Sequence, residues 1–307
     1  LISSDETEMK AKNTIIILCF AAIYSMAQQM PLQSQYMRNL YQINPAFASF
    51  HHQTDFFLTG RSQWNKNLKG APETLFLNAA HRNGNSILGG AVFFDTWGNS
   101  SLSGAKFTYV QDFVFHPDNF VLTLGLSWVA RQFSVNQSDY VYFDSNDPSL
   151  TGAKENFMNT DIDFGLLIHG NSYSVGISTF NLLNRNIVIG TNASKHNTIE
   201  RMLMVYGDYN VTVSDKIDLK PSLLYRLSPS GPDVFDVNVD LILLDDYHVG
   251  LSWRSSDAVS VRIGLNYGKL MFGYAYDMYM NPVSYIGKNA HEVMIGYLIE
   301  NTNFKSF

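Results

Sequence analysis

The sequence predicts an all-β chain, a transmembrane antiparallel up-and-down β-barrel of about 14 strands preceded by a periplasmic lead-in. Three observations carry that expectation: long strands with one greasy face, a low charge content, and connections sorted by parity. The first is clearest in Ala258–Met280, AVSVRIGLNYGKLMFGYAYDMYM. Folded at Gly268-Lys269, with the glycine first as in a type II′ turn, it pairs Tyr267–Leu270, Leu265–Phe272, Ile263–Tyr274, Val261–Tyr276 and Val259–Met278. Each of these pairs is apolar, and the alternate residues (Ser260, Arg262, Gly264, Asn266 opposite Asp277, Ala275, Gly273, Met271) are mostly small, polar or charged. Each strand has about the ten residues that a tilted strand needs to cross a bilayer.

The composition agrees. Of 307 residues, 46% are hydrophobic, 14% aromatic and 16% charged, the last well below the roughly one quarter usual in soluble domains. A mean hydropathy of -0.07 excludes a helical membrane protein. A net charge of -6 argues against nucleic acid as a partner.

Taken from the N-terminus, Lys10 and Lys12 precede the apolar run Ile15–Tyr24, and Ser25 and Ala27 supply small residues at cleavage spacing. With Met9 as the start, residues 1–27 read as upstream sequence and a signal peptide cut before Gln28. A lipoprotein signal at Cys19 is the alternative, opposed by bulky Leu18 just before it. Cleavage removes the single cysteine, leaving no thiol chemistry. Residues 28–53 show no strand alternation and are expected as a periplasmic segment with a short helix over Gln35–Tyr41 and a turn at Asn44-Pro45. The barrel is expected over 54–307.

Its strands are expected at Thr54–Trp64, Glu73–Arg82, Ser86–Thr96, Ser100–Phe115, Asn119–Phe133, Asp161–His169 and Ser172–Phe180. Seven more follow at Arg201–Val213, Lys216–Leu227, Val234–Leu244, Tyr247–Arg254, Ala258–Tyr267, Leu270–Met280 and His291–Ile299. Within them a second hairpin turns at Gly170-Asn171, pairing Ile168–Tyr173, Leu166–Val175 and Phe164–Ile177, and Asn83-Gly84 offers a type I′ turn.

Every second connection is tight: Asn83-Gly84, His116–Asp118, Gly170-Asn171, Ser214-Asp215, Asp245-Asp246 and Gly268-Lys269. The opposite set holds all the long ones, Asn65–Pro72, Ser134–Thr160, Asn181–Glu200 and Asn281–Ala290. A membrane barrel sorts its loops this way, with short turns in the periplasm; a soluble sandwich has no reason to.

Several stretches together resemble a known family. They are Ser34–Ala48 (SQYMRNLYQINPAFA), Arg61–Trp64 (RSQW), Gly70–Thr74 (GAPET), Phe164–Ile177 (FGLLIHGNSYSVGI), Lys220–Tyr225 (KPSLLY), Gly273–Asp277 (GYAYD) and His291–Tyr297 (HEVMIGY). In this order they resemble the PorP/SprF family of outer-membrane proteins, associated with type IX secretion and gliding motility in Bacteroidota. Ser49-Phe50 departs from the small pair common there. The resemblance implies a barrel without chemistry of its own. It would anchor periplasmic components of the secretion machinery, or serve export and surface attachment of an adhesin through that adhesin's C-terminal sorting domain. A porin-like or substrate-specific transport channel is the alternative reading.

The candidate partner-contact or family-motif positions are Asn44, Pro45, Arg61, Gln63, Trp64, Gly70 and Pro72; Asn44-Pro45 is weighed against a plain turn, and Arg61, Gln63 and Trp64 against lumen lining or the interfacial aromatic girdle. Asp139, Asp144, Asn146 and Asp147 crowd one loop but lack calcium-loop spacing. Asp236, Asn238 and Asp240 read as lumen lining, and Arg262 and Asp277 as a cross-strand pair. The histidines lack metal spacing, His291-Glu292 reads as the start of the last strand, and no nucleophile–base set is seen. No enzyme and no cofactor are expected. A charge at Ile263 or Tyr274 is expected to cost about 2–4 kcal/mol in the bilayer, and the same charge at Gly264 less.

Overall fold

The computed structural model describes residues 33–50, 52–64, 70–138, 152–185, 199–229, 231–255, 257–280, 287 and 289–300. The expected signal peptide and the aspartate-rich loop at 139–151 lie outside them.

The strands are β1 (His52–Gln63), β2 (Glu73–Asn83), β3 (Ser86–Trp97), β4 (Ser100–His116), β5 (Phe120–Asn136), β6 (Lys154–His169) and β7 (Tyr173–Phe180). They continue with β8 (Met202–Tyr209), β9 (Val211–Ser214), β10 (Ile217–Leu227), β11 (Val234–Leu243), β12 (Tyr247–Arg254), β13 (Ala258–Tyr267), β14 (Leu270–Tyr279) and β15 (Asn289–Glu300). Each pairs antiparallel with its sequence neighbour, β10 joins β8 to β11, and β15 pairs with β1, which closes the sheet. β8 and β9 face β10 in one register from Leu227 to Asp218, with a shift only at Ile217, so they are two pieces of one crossing strand. The result is a closed 14-strand antiparallel barrel. Extending that register sets Tyr209 opposite Pro221, which has no N–H to give to the ladder; the strand expected over Arg201–Val213 breaks at this point.

The Ala258–Met280 hairpin has the expected register, pair for pair, and a positive φ of 60° at Gly268. Two other turns differ. The second hairpin pairs Ile168 with Val175 and Leu166 with Ile177, two residues away from expectation, because its loop closes on His169 and Ser174. A slip of two leaves every side chain on its face, whereas a slip of one would turn the strand inside out. In the first tight turn, Asn83 pairs with Ser86 and the positive φ sits on Gly84, so the loop is Gly84-Asn85 with the glycine first, not a type I′ Asn-Gly turn. Tight turns gather at one rim and the long connections at the other. β5 and β6 run further than expected, leaving only 137–153 between them.

The larger correction concerns residues 33–50. Expected in the periplasm, this segment lies inside the barrel, with Tyr36, Leu40, Tyr41, Ile43, Ala46 and Phe47 all buried. Instead of one short helix it makes three 3-10 turns, at Tyr36–Arg38, Leu40–Gln42 and Pro45–Phe47. The physical reason is width. A wall of 14 strands encloses more space than its own inward side chains fill, and a segment rich in both aromatic and amide side chains can satisfy that polar interior while burying its own apolar groups.

Candidate functional site: the plugged lumen

The plug starts near the rim of long connections, where three inward charges meet from neighbouring strands. Arg61 on β1 bridges Asp277 on β14 (2.5 Å) and Glu292 on β15 (3.0 Å), and all three are buried. Glu292 also accepts the backbone N–H groups of Ser34 (2.8 Å) and Gln35 (2.9 Å), while the Ser34 hydroxyl donates to Asp277. Both carboxylates therefore face the same guanidinium and the start of the plug, which is what allows three charges to sit out of water. A second set lies beside it: Asp236 is held by Arg226 (2.6 Å) and Arg254 (3.1 Å), and Arg254 donates to the Gln33 carbonyl. Arg262 pairs with Asp240 (2.9 Å), not with Asp277 as expected. Asp277 shares the inward face but belongs to Arg61 and Ser260, one strand step away.

Further in, the plug is held by neutral groups. The Asn238 amide donates to the Tyr36 hydroxyl (2.8 Å), Asn39 donates to Asn78 (2.6 Å), and Tyr41 and Thr108 share a hydrogen bond (2.5 Å). Arg38, the sole charge of the segment, donates to Asn266 (2.6 Å). Tyr36, Met37, Leu40, Ile43 and Phe47 pack on Leu167, Phe180, Met204, Tyr206 and Leu224. Each such side chain contributes about 1.5–3 kcal/mol on full burial, so apolar packing, more than any ion pair, keeps the plug in place.

At mid-height the wall is thinned to admit the backbone. Asn44 caps the last 3-10 turn by accepting from Ala46 N (2.9 Å), and its amide donates to the carbonyls of Leu166 (3.2 Å) and Ile177 (3.3 Å). A Cβ on Gly165 would overlap the Asn44 side-chain oxygen, and one on Gly125 would strike the Pro45–Ala46 backbone. Likewise a Cβ on Gly264 would overlap Arg38, and one on Gly273 would overlap Gln35. The inward glycines, which by sequence leave either a pore or room for folded chain, make room for the plug. The segment leaves at the rim of tight turns, where Phe50 stacks edge-on against His169 (4.7 Å between centroids) and Arg82 donates to the Ser49 carbonyl.

The candidate contact positions fall into two groups. Asn44, Pro45 and Arg61 are buried within the lumen. Gln63, Trp64, Gly70 and Pro72 lie at the rim of long connections. There Gln63 accepts from the Tyr279 hydroxyl (2.9 Å) and donates its N–H to Pro72, Trp64 N donates to Asn289 O (2.7 Å), and Gly70, at φ 82°, accepts from Gly98 N. Trp64 itself adopts a positive φ of 63°. Asp236, Asn238 and Asp240 line the lumen. Ser34, Gln35 and Glu292 were not singled out from sequence as plug contacts. The signal was present in Arg61, Asp277 and Glu292, three inward charges at one end of β14, β15 and β1, but it is legible only once β15 is known to close on β1. Among the described residues no cluster of His, Cys, Asp or Glu is arranged to hold a metal ion.

A barrel of known structure shares the fold. A mutant of the monoaromatic hydrocarbon channel TodX is 9% identical with a TM-score of 0.50, covering 84% of this chain and 93% of that one. A Pseudomonas aeruginosa FadL homologue is 10% identical with a TM-score of 0.49 (84% and 93% covered). The Pseudomonas putida toluene transporter TodX is 9% identical with a TM-score of 0.48 (82% and 90% covered). Among curated proteins no sequence matches. Residues 25–297, however, match the family model described as type IX secretion system membrane protein PorP/SprF. The chain belongs to the PorP/SprF family and is a β-barrel of the outer membrane.

Proposed function

We propose that this barrel works as an anchoring and docking wall for protein partners of the type IX system, and not as a conduit for solutes. The observation that carries this reading is the plug. An 18-residue segment crosses the lumen, is packed among apolar wall residues, and is bound at its start by the Glu292 carboxylate. A lumen closed by covalently attached chain leaves the rims as the surfaces available for work. The partners are secretion-system components on the periplasmic side, the C-terminal sorting domain of a secreted adhesin, or both. Gln63, Trp64, Gly70 and Pro72, at the rim of long connections, are the positions proposed for contact; Asn44, Pro45 and Arg61 act through the plug.

Two measurements test the proposal. Deleting the gene is expected to abolish surface display of a neighbouring adhesin while leaving small-solute uptake unchanged, and the purified barrel is expected to be silent in planar bilayers. Normal display in the deletion strain, or a large steady conductance from the intact protein, overturns it in favour of a transport channel.

A further inference from the structure

Between the plug and the rim of long connections lies a cavity of about 90 Å³. One ordered water needs roughly 10–15 Å³ by the same measure, so this space admits several waters or about one amino-acid residue. Its walls are largely apolar, with Phe76, Phe93, Leu102, Val129, Phe180 and Met204 facing in and Ile43 of the plug at the floor. Four lining residues nevertheless carry a buried polar atom with no partner: Gln33 Oε1, Gln42 Oε1, Arg131 Nε and Arg226 Nη1. Gln33, Gln42 and Arg226 are more than nine-tenths buried, at 8%, 7% and 6% exposure. A buried polar group left unpaired costs about 1–3 kcal/mol, so four around one cavity call for a ligand.

The chemistry of that ligand follows from the four atoms. Two are cationic donors and two are amide oxygens, which accept, around a hollow whose exposed lining is mostly apolar. The carboxylates of the lining are already engaged, Asp163 by Lys106 (2.8 Å) and Asp95 by the Thr74 hydroxyl (2.7 Å). Arg131, by contrast, has the neutral Asn181 side chain as its hydrogen-bond acceptor (2.6 Å). We propose that this cavity binds an apolar amino-acid residue bearing a free carboxylate and an acylated nitrogen. The carboxylate pairs with Arg131, the acyl carbonyl accepts from Arg226, the N–H donates to Gln33 or Gln42, and the side chain enters the apolar hollow. Such a group is supplied either by a free N-acyl amino acid or by the carboxyl end of a polypeptide reaching in from the rim.

The test is calorimetric titration of the full-length protein in detergent, using N-acetyl-leucine, N-acetyl-leucinamide, a short peptide ending in leucine, and the same peptide amidated. The free acids are expected to bind about tenfold or more tightly than their amides, the weight of one charge-assisted hydrogen bond. R131Q is expected to erase that preference, and L102W, which fills the hollow, to abolish binding of both. Heat-modifiable migration on gels confirms that each variant is a folded barrel, and the glutamine of R131Q keeps a hydrogen-bonding side chain at that partly buried position. A peptide tighter than N-acetyl-leucine assigns the chain end as the source, equal affinity assigns the free acid, and either result upholds the site. Equal binding of acid and amide, or an undiminished preference in R131Q, overturns it.

Discussion

The outer and inner faces of this wall are made by the same strands and obey opposite rules. On the outside, Ile263 (55% exposed), Leu251 (57%) and Trp128 (54%) present apolar groups outward, where the bilayer takes the place of water. On the inside, Asp277 and Glu292 are wholly buried charges that survive because each is hydrogen-bonded and paired. What separates the two faces is specificity. Any apolar residue satisfies lipid, so the outer face needs only a pattern. A buried carboxylate needs its own partner at its own distance, so the inner face needs particular residues brought together from distant parts of the chain.

Three substitutions separate these faces, in falling order of effect. Arg61→Met leaves Asp277 and Glu292 buried without their cation and is expected to cost about 3–5 kcal/mol, read as a lowered urea midpoint for unfolding of the refolded barrel. Ile263→Arg places a charge in the lipid face near mid-membrane and is expected to cost about 2–4 kcal/mol in the same assay. If the two were equally harmless, the assignment of inner and outer faces would be wrong. Asn44→Ala removes the cap of the last 3-10 turn and two bonds to the wall, and is expected to cost about 0.5–2 kcal/mol. Bilayer current noise reports its effect on the plug directly, and should rise in this variant but not in Ile263→Arg.

The neighbour of Ile263 illustrates how the structure revises an expectation. By alternation, Gly264 faces the lumen, and a charge there looks mild next to one facing lipid. The lumen at that point is occupied by Arg38, which any Cβ on Gly264 would overlap. A side chain at Gly264 therefore displaces the plug, and its cost is steric before it is electrostatic. The inward direction was legible from period-two patterning; the presence of other chain against it was not.

The same division runs through the molecule. The hairpin Ala258–Met280 could be read to the exact pair because a two-residue loop and a greasy stripe permit one register. The hairpin at Gly170 came out two residues away because loop length is set by backbone closure and not by side-chain pattern. Arg262 was placed on the correct face yet given the wrong partner, since two inward carboxylates lay within reach on different strands.

By itself, then, the amino-acid sequence determined the barrel, its strand count, its lipid face and the sorting of its connections, because these are local and periodic properties of one chain in one solvent. Only the tertiary structure decided that residues 33–50 fill the lumen, that Glu292 grips Ser34 and Gln35 from 258 and 257 positions away, and that the inward glycines are seats for the plug. Those facts depend on closure of β15 onto β1 and on the width of the space it encloses, and no periodicity along the chain encodes a distance across a lumen.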